Sequence, residues 1–238
     1  MRSVLREGDV HVWQVSLDSP FLSLEILNSS LSLDEQKRAE RFIFEKDHNH
    51  FIVARGALRH ILSRYLDVSA SELTFAYGEH GKPFLINQKD DRSLEFNLSH
   101  SNGLALYAVT LNQPVGIDVE LFDREVDGLG LAERFFHPRE FQELSRLPER
   151  LQHQSFFNYW VLKEAVIKAM GNGLFLGLDQ FVITHLPDKS PKLCEIEGSV
   201  DKAADWTTCS VEVKEGYQAA LVVWGKINRP RIFNEFIF

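Results

Sequence analysis

Residues 114–120 read PVGIDVE, in which Val115, Ile117 and Val119 alternate with Gly116, Asp118 and Glu120 in the manner of a strand. Residues two apart share a face of a strand. Three apolar side chains therefore point to a core, and two carboxylates project together from the other side. Acids placed side by side repel unless something positive lies between them. Such an edge can be solvated by water. A divalent cation is the sharper alternative, because hard ions take carboxylate oxygens.

Upstream of this strand, residues 9–17 (DVHVWQVSL) alternate as a strand, and Ser32 with Glu35 offers a capping-box start for a helix running toward Phe44. Phe51, Leu58, Ile61, Leu62 and Tyr65 recur at helical spacing and predict a longer helix over about 47–66. Strands are expected at 73–77, 83–86, 94–98, 104–110 and 115–119. Downstream, irregular sequence to about 137 precedes a helix starting near Pro138, a residue suited to a first helical position. A second helix at about 153–170 stops at Gly171-Asn172-Gly173, and strands follow at about 180–184, 193–197, 206–214 and 218–226. Each half closes on an apolar strand, LALYAVT (104–110) in one and YQAALVVW (217–224) in the other. The expectation is an α+β fold of two similar halves, 1–114 and 115–238.

A chain of 238 residues that is 44% hydrophobic can bury a large core as one large domain or two halves of about 120 residues. The net charge of −8 opposes nucleic-acid binding, which rests on clustered Lys and Arg. No apolar run of about 18 residues and no basic-then-apolar N-terminal stretch occurs, so a soluble, cytoplasmic protein without membrane association is expected. Cys194 and Cys209 are the only cysteines, which suggests neither a disulfide framework nor a zinc site.

SFFNYWVLKEAVIKAMGNG (155–173) carries apolar side chains on nearly every side of its helix, the pattern of a buried element. Lys163, Glu164 and Lys168 lie within it, and charges are seldom buried without partners. A Glu164–Lys168 pair at i,i+4 is of modest worth, about 0.2–0.5 kcal/mol. It leaves Lys163 unexplained. If Glu164 supplies a third oxygen to the cation of Asp118 and Glu120, all three acids have one cause. The lysines then serve an anionic ligand whose phosphates complete the shell, as magnesium prefers. Arg55 and Arg59 share a helix face and suit phosphate through their planar forks. Lys82 leaves a Gly-Pro turn, and Ser99 and His100 end the FNLSHS strand.

In order, GKPFL (81–85), FNLSHS (96–101), VGIDVE (115–120), RFFHPREF (134–141) and WVLKEAVIKAMGNGL (160–174) resemble the Sfp-type 4'-phosphopantetheinyl transferases. The 46 residues from Asp118 to Glu164 (164 − 118) also lie in that family's range. The resemblance is close over 81–174, follows the general pattern before it, and shares only general character beyond about 185.

It implies two halves related by a pseudo-twofold axis with coenzyme A between them, and transfer of the phosphopantetheine arm to a serine of an acyl or peptidyl carrier protein. Such acceptors serve fatty acid, polyketide or nonribosomal peptide synthesis. Asp118, Glu120 and Glu164 look like magnesium ligands, with manganese also compatible with oxygen donors. Lys82 with Pro83, Ser99 and His100 match coenzyme-contacting positions, Arg55 and Arg59 a basic helix, and Lys163 and Lys168 the lysines of the KEAxxK helix. Glu164 is the candidate base and Lys168 the group beside the pyrophosphate; Asp118 completes the catalytic set. Arg134 and Arg139 are expected near a docked carrier protein, and a monomer is the simpler expectation. Lys37, Arg38 and Arg41 receive no role, and the tail RPRIFNEFIF has no counterpart. The alternative is a non-catalytic module that binds coenzyme A or a carrier protein.

Overall fold

The computed structural model describes residues 4–86, 88, 93–122, 125–171, 177–185 and 190–234. Along the chain run β1 (His11–Ser16), α1 (Leu24–Ser29), α2 (Leu33–Ala39), α3 (Glu45–Ser63), β2 (Phe75–Tyr77), β3 (Pro83–Leu85), β4 (Leu94–Ser101), β5 (Leu104–Leu111) and β6 (Val115–Leu121). There follow α4 (Gly128–Phe135), α5 (Pro138–Ser145), α6 (Glu149–Met170), β7 (Phe181–Thr184), β8 (Lys192–Ile196), α7 (Val200–Ala204), β9 (Trp206–Ser210), β10 (Tyr217–Trp224) and β11 (Arg231–Phe233). The fold is mixed α+β. One sheet has the order β11-β1-β5-β4 and another β6-β10-β9; β2 pairs with β3, and β7 with β8.

Period-two sequence explains the layering. In β5, Ala105, Tyr107 and Val109 pack with Val53, Leu58, Ile61 and Leu62 of α3. Leu104, Leu106 and Ala108 turn the other way and meet Ile117 and Val119 of β6 and Leu221 and Val223 of β10. On the far side of that second sheet, Ala220 and Val222 pack with Phe157, Leu162 and Val166 of α6. The order is thus helix, sheet, sheet, helix. Both faces of β5 and β10 are covered, which is why these strands read as apolar runs. Each fully buried Leu, Val or Phe contributes about 1.5–3 kcal/mol, so these facing strands and the two long helices dominate the stability.

Several element limits differ from expectation. The helix from Ser32 ends at Ala39 and the long helix starts at Glu45, with exposed Phe42, Ile43 and Phe44 between them. The stretch expected to be irregular up to 137 contains α4, capped by the Asp127 side chain on the Gly130 amide. Gly128 and Gly130 depress helix propensity, but a Cβ on Gly128 would stand 2.7 Å from the Phe156 ring, so close packing on α6 requires glycine there. Gly171 ends α6 at φ 70°, as its position suggested; Asn172, Gly173 and Leu174 lie outside the described residues. The tail supplies an additional strand, β11, parallel to β1, with Phe233 stacked on Trp13 at 4.4 Å between ring centroids. Its last four residues lie outside the described set.

Candidate active site

Strand β6 lies directly on α6 because Gly116 has no side chain. A Cβ at that position would sit 2.1 Å from the Ala165 carbonyl oxygen and 2.4 Å from the Ala169 nitrogen. Val115, Ile117 and Val119 face the core shared by the sheets, so Asp118 and Glu120 face α6, as the alternation required. Lys168 Nζ donates to Asp118 Oδ1 at 2.6 Å and to Ser99 Oγ at 3.0 Å, while Ser99 Oγ donates to the same carboxylate oxygen at 2.7 Å. Asp118 Oδ2 is buried and has no hydrogen-bond partner among the described residues. Glu164 lies one turn before Lys168. Burial, then the charges of Asp118 and Glu120, raise its pKa, with the Lys168 ammonium opposing.

Three mutually repelling acids beside an orphaned carboxylate oxygen are a fit for an added cation. Among the described residues no group of three His, Cys, Asp or Glu side chains is already arranged to hold a metal ion. Magnesium usually takes one or two carboxylates together with substrate phosphates rather than an all-protein cage. The donor chemistry therefore suits it.

Alongside lies a cavity of about 1040 Å³ whose lining includes Arg38, Lys46, His50, Arg55, Pro83 and His100. Along β4, Ser99 faces Asp118 while Leu98 and His100 line the cavity from the opposite face of the strand. Desolvation, then the Lys168 ammonium and His50, lower the pKa of His100, with Asp118 opposing. His50 Nε2 donates to Asp18 Oδ1 at 2.8 Å, and Arg38 gives one member of the unassigned basic cluster a place on the cavity wall.

Other expected ligand contacts are redirected by the packing. Lys163 is 0% exposed: its ammonium pairs with Glu140 at 2.7 Å and donates to the carbonyls of Leu178 and Phe181, so it clamps the fold and does not reach the cavity. Arg59 lines the cavity wall yet is 1% exposed, with Nε on Glu35 and Nη1 on the carbonyls of Ala70 and Leu73. It holds the wall in place, and little of its guanidinium is presented to a ligand. Arg55 also ion-pairs with Glu35, but its Nη2 donates to Tyr77 Oη and its guanidinium lies over the Phe75 ring on the cavity side. Lys82 Nζ donates to the carbonyls of Val115 and Lys168. It ties the β2–β3 turn to the end of α6, where a cation also favours the helix dipole.

The sequence matches two family descriptions: 4'-phosphopantetheinyl transferase, N-terminal, over residues 13–112, and 4'-phosphopantetheinyl transferase superfamily over 114–222. The 4'-phosphopantetheinyl transferase HetI of Nostoc sp. strain PCC 7120 is 37% identical over 230 residues, covering 97% of this chain and 94% of that protein. The chain belongs to the 4'-phosphopantetheinyl transferase superfamily. Two further members similar to it are 4'-phosphopantetheinyl transferase gsp of Aneurinibacillus migulanus, 32% identical over 82% of this chain and 76% of that one, and Sfp of Bacillus subtilis, 31% identical over 81% and 82%.

Within this superfamily member, side chains not singled out from sequence shape the site. Asn97 and Ser101 share a face of β4 with Ser99; Asn97 Oδ1 accepts from the Ile117 amide at 3.0 Å, and Ser101 Oγ donates to Glu120 Oε2 at 2.8 Å. The N-x-S-x-S alternation at 97–101 was their sequence signal. Glu35 was visible as the third residue of a capping box, but its reach to a second helix was not, and the box of His137 and Glu140 emerges only in the structure.

Proposed function

We propose that this chain transfers the 4'-phosphopantetheine moiety of coenzyme A to a serine of apo acyl or peptidyl carrier proteins, using magnesium. The observation that carries this reading is the facing of Asp118 and Glu120 on β6 by Glu164 and Lys168 on α6, beside the 1040 Å³ cavity. Coenzyme A fits the lining chemically: Arg55, His50, His100, Arg38 and Lys46 suit its phosphates. On this reading 1–114 supplies most coenzyme contacts and 115–238 the acids and the carrier-protein site. The chain works in the cytoplasm as a monomer.

Asp118, Glu120 and Glu164 would hold the ion. When bound, it supplies charge neutralisation of the pyrophosphate and of the leaving oxygen. The carrier serine Oγ attacks the phosphorus next to pantetheine, and the bond from that phosphorus to adenosine 3',5'-bisphosphate breaks. Glu164, made more basic by burial and its acidic neighbours, takes the serine proton. Lys168 donates to a pyrophosphate oxygen, while Ser99 and His100 orient the chain of phosphates. Arg134, stacked over half-exposed Phe135, offers an acidic carrier protein a mixed basic and apolar contact on α4; Arg139 is paired with Glu195 at 2.5 Å.

Intact mass measurement of apo carrier proteins incubated with coenzyme A and magnesium tests the proposal. A gain of one phosphopantetheine is expected. Release of phosphopantetheine into solution with no acceptor modified would refute it.

A further inference from the structure

Strand β4 closes the edge of one sheet and β6 the edge of the other, and the two are joined by side chains of alternate β4 residues. Asn97 accepts from the Ile117 amide, and Ser99 donates to Asp118. Ser101 Oγ donates to Glu120 Oε2 at 2.8 Å and accepts from the Leu121 amide at 3.2 Å. The second bond matters because it fixes the hydroxyl rotor: with a lone pair engaged by Leu121 N–H, the Ser101 proton is aimed at Glu120. Glu120 sits near the end of its strand, only partly buried, on a side chain with three rotatable bonds.

We propose that Ser101 is a positioning residue that holds the Glu120 carboxylate ready for the metal ion. This rests on the reading of Glu120 as a ligand. Ser101 does not line the cavity; it acts across the join between the two sheets by ordering one oxygen donor before the ion arrives. Outer-shell partners of ligating carboxylates typically change metal affinity about 10–100-fold. A single neutral hydroxyl at a partly exposed site belongs at the low end of that range.

The test is calorimetric titration of Mg2+ into the coenzyme A-bound protein, for wild type, Ser101→Ala, Ser101→Thr and Glu120→Gln, alongside metal-free coenzyme A affinity and transfer kinetics. Ser101→Ala should weaken Mg2+ about tenfold and raise the KM for Mg2+ equally. Its kcat at saturating Mg2+ and its metal-free coenzyme affinity should stay within about twofold of wild type. Ser101→Thr, which keeps the hydroxyl, should recover to within about threefold. Unchanged Mg2+ affinity in Ser101→Ala, with Glu120→Gln strongly weakened, overturns the role of Ser101 alone. An equal loss of metal-free coenzyme affinity also overturns it, because that marks a structural defect. Full Mg2+ uptake by Glu120→Gln overturns the ligand reading and this inference with it.

Discussion

Helices α3 and α6 are wired alike and used differently. Each is preceded by a short helix opening on a capping box, Ser32 with Glu35 for α2 and His137 with Glu140 for α5. In both, the boxed glutamate also reaches a cation buried in the long helix. Glu35 holds Arg59, 24 residues on, and Glu140 holds Lys163, 23 residues on (163 − 140). The positions that follow separate the two regions. One and five residues beyond Lys163 stand Glu164 and Lys168, facing Asp118; at the matching places after Arg59 stand His60 and Arg64, the latter over the Trp13 ring. A cation inside an apolar helix is thus a fold clamp in both regions, and in only one of them does an acid stand one residue further along, where the proposed chemistry places its base.

The sharpest break of this parallel is at those following positions. Glu164→Gln or Asp118→Ala should lower transfer at least about a thousandfold, roughly 4 kcal/mol of barrier, with the urea midpoint held near wild type. His60→Gln should leave transfer within about twofold. Transfer by either acid variant at near wild-type rate would refute the assignment.

Next in size are the clamps. Glu140→Gln strands a fully buried ammonium whose pKa is already pushed down by burial to about 8, and should cost about 3–5 kcal/mol in urea unfolding. The double variant Glu140→Leu/Lys163→Met should regain most of that and keep wild-type coenzyme A affinity. Loss of that affinity would return Lys163 to the site. Glu35→Gln should cost less, about 1–3 kcal/mol, because the Glu35 and Arg55 side chains keep 8% and 10% of their surface exposed, against 1% and 0% for Glu140 and Lys163.

The smallest effect is electrostatic. Burial holds the pKa of His11 at the start of β1 and of His185 after β7 below the ordinary 6.5. Between those lowered values and 6.5 the unfolded chain binds more protons than the folded one. Stability is therefore full above about pH 6.5 and falls as the solution is acidified below it. Each group contributes at most about 1.4 kcal/mol per pH unit. His11→Gln should flatten the fall in urea midpoint between pH 7 and 5.5; an unchanged slope would show His11 to titrate normally.

Much of the fold was legible because period two and period 3.6 report which faces avoid water. The alternation in PVGIDVE correctly separated core from acids, and the apolar runs of β5 and β10 marked strands covered on both sides. Helix α4 escaped because its two glycines argue against a helix locally, while the contact with Phe156 that demands one of them comes from α6. Strand β11 escaped because three residues carry no period; Trp13 supplies the surface that orders it.

The sequence alone determined which residue types were present for chemistry, their order and the strand face of each acid, since these follow from local geometry and composition. Only the tertiary structure decided which cations are locked into the fold. Arg59 and Lys163 differ from Lys168 not in chemical type but in the carboxylates and carbonyls that packing brings within about 3 Å of them, and such partners lie on elements many residues away.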